Sequence, residues 1–258
     1  MVQLRAVALS HRGRVRADNE DSVMLGGWLC RDPQGGLMQL AWQTDATALF
    51  LLADGMGGHA AGEVASRMAV ESLLADLADA GSAVEIAAAI ADADAAVRDA
   101  VRADPARAGM GTTIAGLLIA DGLAFAFNVG DSRVYRAVSG YLRLLTQDDT
   151  REFLINGPDG ARSGMLMQCL GGGGLDTPPD PHVQRLVLFG AERFLLCSDG
   201  LTDMLDHEAL EACLEADPVR TAKQLFDAAM AAGGADNISI IIIDYLADRS
   251  PSATEKVR

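Results

Sequence analysis

Ala48–Gly62 reads ALFLLADGMGGHAAG. Its first six residues are a short unbroken apolar run, which predicts a strand buried on both faces. Asp54 ends the run, and the glycines that follow break the chain before a helix opens. A carboxylate therefore stands at the tip of a buried strand, and the chain repeats the device. Asp131 follows LAFAFNVG, and Asp199 follows RFLLCS. Glu20 and Asp21 precede the strand SVML, and Asp236 precedes ISIIIID. In an antiparallel sheet the end of one strand lies beside the start of its neighbour. Six acids, three at strand ends and three at strand starts, are thus expected along one edge.

Working outward, Val2, Leu4, Ala6 and Ala8 alternate as a first strand, RGRVRADNED is a polar loop, and residues 33–36 form a turn. Two helices are predicted after the glycines. The first spans about Glu63 to Ala78, and the second carries Ile86, Ile90, Ala93, Val97 and Val101 on one face. The aspartates at 92, 94 and 99 are expected on its solvated side. After Pro105 come strands at GTTIAGLLIA, LAFAFNV, RVYRAV, YLRLL, VQRLVLF and RFLLCS, then helices near His207–Ala216 and Pro218–Ala232, and a last strand ISIIIIDY. Strand runs interrupted by one helix pair early and another late predict an α+β fold. Strands apolar on both faces need cover on both sides, which two packed sheets with outer helix layers supply. One domain is expected over 1–247, with a polar tail over 248–258.

The bulk properties exclude several function classes. The chain has 258 residues, 36 acids and 21 bases, for a net charge of −15. No basic surface is expected for nucleic acid or for an anionic membrane. No stretch approaches the roughly 20 apolar residues of a membrane span, and the N-terminus lacks the apolar core of a signal peptide. Cys30, Cys169, Cys197 and Cys213 form no CxxC pair, and Cys197 reads as a small buried hydrophobe. A reducing cytoplasm fits this cysteine usage.

A crowd of carboxylates at one edge repels itself unless protons or cations intervene. Oxygen-only ligands select hard ions such as magnesium and manganese. An aspartate before a glycine is also an ordinary turn; what outweighs that reading is the recurrence of the same strand context around the acids.

The ordered motifs RADNED (16–21), DGMGGH (54–59), GTT (111–113), NVGDSRVY (128–135), CSDGL (197–201) and GADNIS (234–239) resemble the metal-dependent type 2C (PPM-type) serine/threonine protein phosphatases, in compact bacterial form. The resemblance covers residues 5–245. It implies a four-layer α-β-β-α sandwich with two central, mainly antiparallel sheets. It further implies a cytoplasmic signalling hydrolase that cleaves phosphoserine and phosphothreonine monoesters by direct attack of a metal-bridging water. Two Mn²⁺ or Mg²⁺ ions are implied, with a weaker third in bacterial members. Asp54 resembles the carboxylate bridging both metals. Glu20 and the Gly55 carbonyl resemble ligands of one, and Asp199 and Asp236 ligands of the other. Asp131, with Asp199, resembles the acids holding the third ion. Asp21 resembles the group that orients bound water. Arg16 resembles the phosphate clamp, a role suited to the guanidinium fork.

The sequence departs from the family pattern in two places. Many eukaryotic members carry a histidine directly after the Asp-Gly pair, where this chain has Met56; His59 is then the nearest general-acid candidate. The segment between Asp149 and Leu170 is short for the family's flap. The resemblance implies phosphorylated proteins, targets of a Ser/Thr kinase, as partners, and a monomer. A catalytically dead scaffold would be expected to lose a metal carboxylate, and none is lost. A phosphatase dedicated to an anti-anti-sigma-type regulator would be expected to carry sensor domains. DGMGG is not a kinase or Walker phosphate loop.

Overall fold

The computed structural model describes residues 1–30, 36–57, 61–154, 162–172 and 178–247. His59 and the tail from Asp248 lie outside the described residues. The chain begins with β1 (Val2–His11), β2 (Ser22–Leu25), β3 (Trp28–Cys30), β4 (Met38–Thr44), β5 (Ala48–Ala53) and β6 (Gly55–Met56). The helix pair α1 (Ala61–Asp76) and α2 (Ala83–Ala103) follows. Next come β7 (Gly111–Thr112), β8 (Ile114–Ala120), β9 (Leu123–Val129), β10 (Arg133–Val138), β11 (Tyr141–Leu144), β12 (Thr150–Leu154), β13 (Arg162–Leu166), β14 (His182–Val187) and β15 (Ala191–Cys197). The chain closes with α3 (Asp199–Thr202), α4 (His207–Ala212), α5 (Pro218–Ala231) and β16 (Ile238–Ala247).

Two six-stranded sheets dominate, ordered β11-β10-β15-β16-β1-β4 and β14-β9-β8-β5-β2-β3. Their pairings are antiparallel, for example Ser10↔Ser239 between β1 and β16 and Ser22↔Ala53 between β2 and β5. The period-2 geometry of strands explains how three cores form. Leu4, Ala6, Ala8, Ile241 and Ile243 of the first sheet meet Phe50, Leu52, Ala115 and Leu117 of the second between the sheets. Residues of opposite parity, Val7, Ile240 and Ile242, pack outward on Leu225 and Ala229 of α5. On the other side Leu49, Leu51, Phe125 and Phe127 pack on Ala69, Leu73, Ile86 and Ile90 of α1 and α2. The four-layer α-β-β-α sandwich is therefore the observed architecture. No helix among the described residues is long and apolar enough to cross a membrane.

α2 starts where its chemistry says it should. Ser82 accepts a hydrogen bond from the Glu85 amide, and the Glu85 carboxylate receives bonds from the Ser82 hydroxyl and the Gly81 amide, a reciprocal cap. One expectation on this helix fails. Asp92 and Asp99 are exposed, but Asp94 is buried. Its carboxylate accepts from Arg98 Nε at 2.7 Å and from the Gly171 amide at 2.8 Å. A buried acid needs such partners, and a loop distant in sequence supplies one.

Strands β3 and β4 were not expected, nor was the hairpin β12–β13. Met38, Leu40 and Trp42 do alternate with polar or small neighbours, and they cover the rim of the inter-sheet core. Residues 33–35 of the expected turn at 33–36 lie outside the described residues.

Candidate metal and phosphate site

The strand registers converge at one end of the sandwich. In the first sheet His11 pairs with Ile238 and Cys197 with Ile240, so the chain after β1, the start of α3 and the residues before β16 lie together. In the second, Ser22 pairs with Ala53 and Ile114 with Val129. That places Asp21, Asp54 and Asp131 at the same end of their sheet.

Asp54 is held by a threonine pair. Its amide donates to Thr113 Oγ1 at 3.1 Å, and its carbonyl accepts from Thr112 Oγ1 at 2.8 Å and the Thr113 amide at 2.9 Å. Gly55 admits no side chain, since a Cβ there would lie 2.2 Å from the Gly62 carbonyl oxygen and 2.6 Å from that of Glu20. Asp131 follows Gly130, whose φ of +103° turns the chain out of β9. Asp199 is the first residue of α3. Arg16, half exposed, donates to Asp236 Oδ2 at 2.5 Å.

The electrostatics show how closely the acids face one another. Burial raises the pKa of Asp54 well above the ordinary carboxylate range, reinforced by Asp21 and Asp199. Burial also raises Asp199, with the neighbouring Asp54 carboxyl opposing the rise and Asp236 adding to it, so the two groups titrate as a pair. Burial pushes Asp21 up to about 7; the nearby Ser239 and Ser198 hydroxyls pull it down, while Asp199 and Asp236 add to the rise. Asp131 is likewise pushed up to about 7 by burial and then by Asp199. Glu20 is raised by burial against the opposing charge of Arg16. All six acids thus belong to one electrostatic cluster, and Arg16 stands at its edge.

Both carboxylate oxygens of Asp21 and one of Asp199 are buried without a well-formed hydrogen bond. Among the described residues no three His, Cys, Asp or Glu side chains already converge as a closed ligand set. The acids instead form a loose cluster in which Arg16, paired with Asp236, supplies part of the counter-charge. Such an all-oxygen donor set fits hard divalent cations, which would supply the missing counter-charge.

Several residues here escaped the sequence reading. Asp203 lies one turn after Asp199, its amide donating to the Asp199 carbonyl, and burial raises its pKa too. Arg133 forks onto Asp148, with Nη2 to Oδ2 at 2.6 Å, and faces Asp131 and Asp203 through that pair. The i, i+4 spacing of Asp199 and Asp203 was readable, but only with α3 recognised as helical.

Comparison with known proteins identifies the family of the fold. The profile of the family described as Protein phosphatase 2C matches residues 26–237. The chain is 34% identical over 256 residues to serine/threonine protein phosphatase PstP of Mycobacterium tuberculosis, covering 94% of this chain and 45% of that protein. It therefore spans about half the length of that relative. Serine/threonine phosphatase stp of Listeria monocytogenes is 31% identical, with 90% of this chain and 92% of that protein covered. The solved catalytic domain of PstP, in complex with two manganese ions, superposes with a TM-score of 0.75 at 32% identity, over 96% of this chain and 100% of that one. The chain belongs to the protein phosphatase 2C family.

Proposed function

We propose that this protein is a metal-dependent protein phosphatase that hydrolyses phosphoserine and phosphothreonine monoesters. The observation that carries the reading is the cluster of Glu20, Asp21, Asp54, Asp131, Asp199 and Asp236, with buried carboxylate oxygens that lack partners, at one end of a protein phosphatase 2C fold.

Asp54, Glu20 and the Gly55 carbonyl would hold one Mn²⁺ or Mg²⁺, and Asp54, Asp199 and Asp236 the second. Asp131 and Asp199, flanked by Asp148 and Asp203, would hold a weaker third. Bound there, such ions supply charge neutralisation at the phosphoryl oxygens and a more acidic water. The chain's own groups do the rest. Arg16 binds two phosphate oxygens with its planar fork. Asp21, whose two buried carboxylate oxygens lack hydrogen-bond partners, accepts from water at the site and orients it. His59 is the candidate donor of the proton that a serine or threonine alkoxide leaving group needs. Phosphorylated targets of a Ser/Thr kinase in a cytoplasmic signalling pathway are the substrates this chemistry suits, with the protein acting as a monomer.

The experiment is hydrolysis of a phosphothreonine peptide by protein stripped with EDTA and then given Mn²⁺ or Mg²⁺. Activity that disappears and returns supports the proposal. Full activity in the stripped protein overturns it.

A further inference from the structure

Asn237 sits beside Asp236 in the GADNIS motif. It is 5% exposed, and every polar atom of its side chain is engaged. Its Oδ1 accepts from the Glu20 amide at 2.8 Å. Its Nδ2 donates to the carbonyls of Arg12 at 3.1 Å and Asp18 at 2.9 Å. One acceptor facing an N–H and two donors facing carbonyls fix the amide's orientation without ambiguity. The main chain of the same residue is also committed. Its amide donates to Asp236 Oδ1 at 2.8 Å, and its carbonyl accepts from the Ser198 hydroxyl at 3.4 Å. That carbonyl also lies against Gly200, where a Cβ would approach it to 2.0 Å.

These contacts join three segments far apart in sequence. The loop of residues 12–20 carries Arg16 and Glu20, the turn into α3 carries Asp199, and Asp236 is the adjoining residue. That loop has no regular secondary structure to hold it. The Arg14 amide bonds to the Gly234 carbonyl, and Gly13 packs so tightly on the Asp236 and Gly234 carbonyls that a Cβ would lie 2.1 Å from the first. The Asn237 amide, from outside the loop, grips it on both sides of Arg16, at Arg12 and at Asp18, and also at Glu20.

We infer that Asn237 is a positioning residue that sets the separation between the Glu20 side of the metal site, the Asp199–Asp236 side and the Arg16 phosphate clamp. The inference rests on the proposed phosphatase reading. It predicts that metal affinity and phosphate affinity fall together when the amide is lost, because both depend on one loop.

Asn237→Asp is nearly isosteric. It keeps the acceptor for the Glu20 amide and sets an oxygen against two carbonyls. In variant protein that is folded by circular dichroism, titration of Mn²⁺ into metal-stripped enzyme should show at least a tenfold loss of affinity. Inhibition by inorganic phosphate should weaken by a similar factor. Wild-type Mn²⁺ affinity and wild-type phosphate inhibition in the folded variant would overturn the inference, since a merely structural amide would lower only the melting temperature. A second measurement needs no variant: the Glu20 amide proton in metal-stripped wild-type protein should exchange slowly with solvent, and rapid exchange would equally overturn it. Loss of metal-dependent turnover is not the criterion here. A wild-type protein without that turnover would refute the phosphatase reading, whereas Mn²⁺ binding and amide exchange judge Asn237.

Discussion

Arg16 Nη2 lies 2.5 Å from Asp236 Oδ2, so the candidate phosphate clamp rests on a candidate metal ligand. Without a cation, the guanidinium supplies part of the counter-charge that the acid cluster lacks. A divalent ion at Asp236 would take over that task and free the fork for phosphate. Arg16→Ala should therefore raise KM for a phosphothreonine peptide about tenfold or more, while Mn²⁺ affinity stays level or rises. Lysine should restore only part of the loss, because a point charge does not reproduce paired contacts. A variant with unchanged KM and weaker Mn²⁺ binding would show that Arg16 serves the metal site alone.

The raised carboxylates set the pH dependence of the metal-free protein. Asp21 and Asp131 titrate near 7 in the fold, against about 3.9 for an ordinary aspartate. The folded state therefore binds more protons than the unfolded chain between these values. That contribution to stability is complete below about pH 4 and is lost as pH rises through 7. Cations take the place of those protons, so stabilisation by Mn²⁺ should grow over the same window. Melting curves of stripped and Mn²⁺-loaded protein at pH 5.5 and pH 8 would check this. A metal-induced shift in Tm that is larger at pH 5.5 would contradict the assignment.

Asp54 carries the sharpest conflict between stability and function, because burial and three neighbouring acids, Asp21, Asp199 and Asp236, all oppose its charge. Asp54→Asn removes that charge and keeps the shape. Metal-free Asp54→Asn protein should melt higher than the wild type at pH 8, yet show no metal-dependent turnover. Asp131→Asn should keep measurable turnover, since it touches only the proposed third ion. Wild-type rates in Asp54→Asn would remove that residue from the site.

The parts of this architecture that depend on local pattern were legible in the sequence. Apolar runs such as Ala48–Ala53 and Ile238–Ile243 announced strands covered on both faces, and acids at their tips announced a common edge. What depends on tertiary partners was not. Asp94 was expected in solvent with Asp92 and Asp99, but it lies beside Ile90 and Val97 on the packed face, and Arg98 and the Gly171 amide, 77 residues away, satisfy its buried carboxylate. Replacing Asp94 with alanine leaves that amide without its acceptor. The cost should be about 1–3 kcal/mol in a denaturant melt, whereas Asp92→Ala, on the exposed face, should be nearly silent. Equal effects at the two positions would restore the simpler amphipathic reading. Asn237 was equally hidden, since an asparagine after an aspartate reads as a turn until its three side-chain partners are seen.

Gly62 offers a test of how tightly the metal site is built. It opens α1 with its backbone against Glu20, and an added Cβ would lie 2.6 Å from Glu20 Oε2 and 2.9 Å from the Gly55 carbonyl carbon. The carboxylate is the flexible end of a side chain, so it would swing aside; the Gly55 backbone has less room to move. Gly62→Ala should thus displace two proposed ligands of one ion at modest cost to folding, while those of the other ion, Asp199 and Asp236, keep their places. Half-maximal activation should then need about tenfold more Mn²⁺, with kcat at saturating metal closer to wild type than the activation constant is. Combining Gly62→Ala with Glu20→Asp, which shortens the offending side chain, should recover part of the affinity if the Glu20 contact dominates. An unchanged activation constant in Gly62→Ala would show that the first turn of α1 does not govern the Glu20 carboxylate.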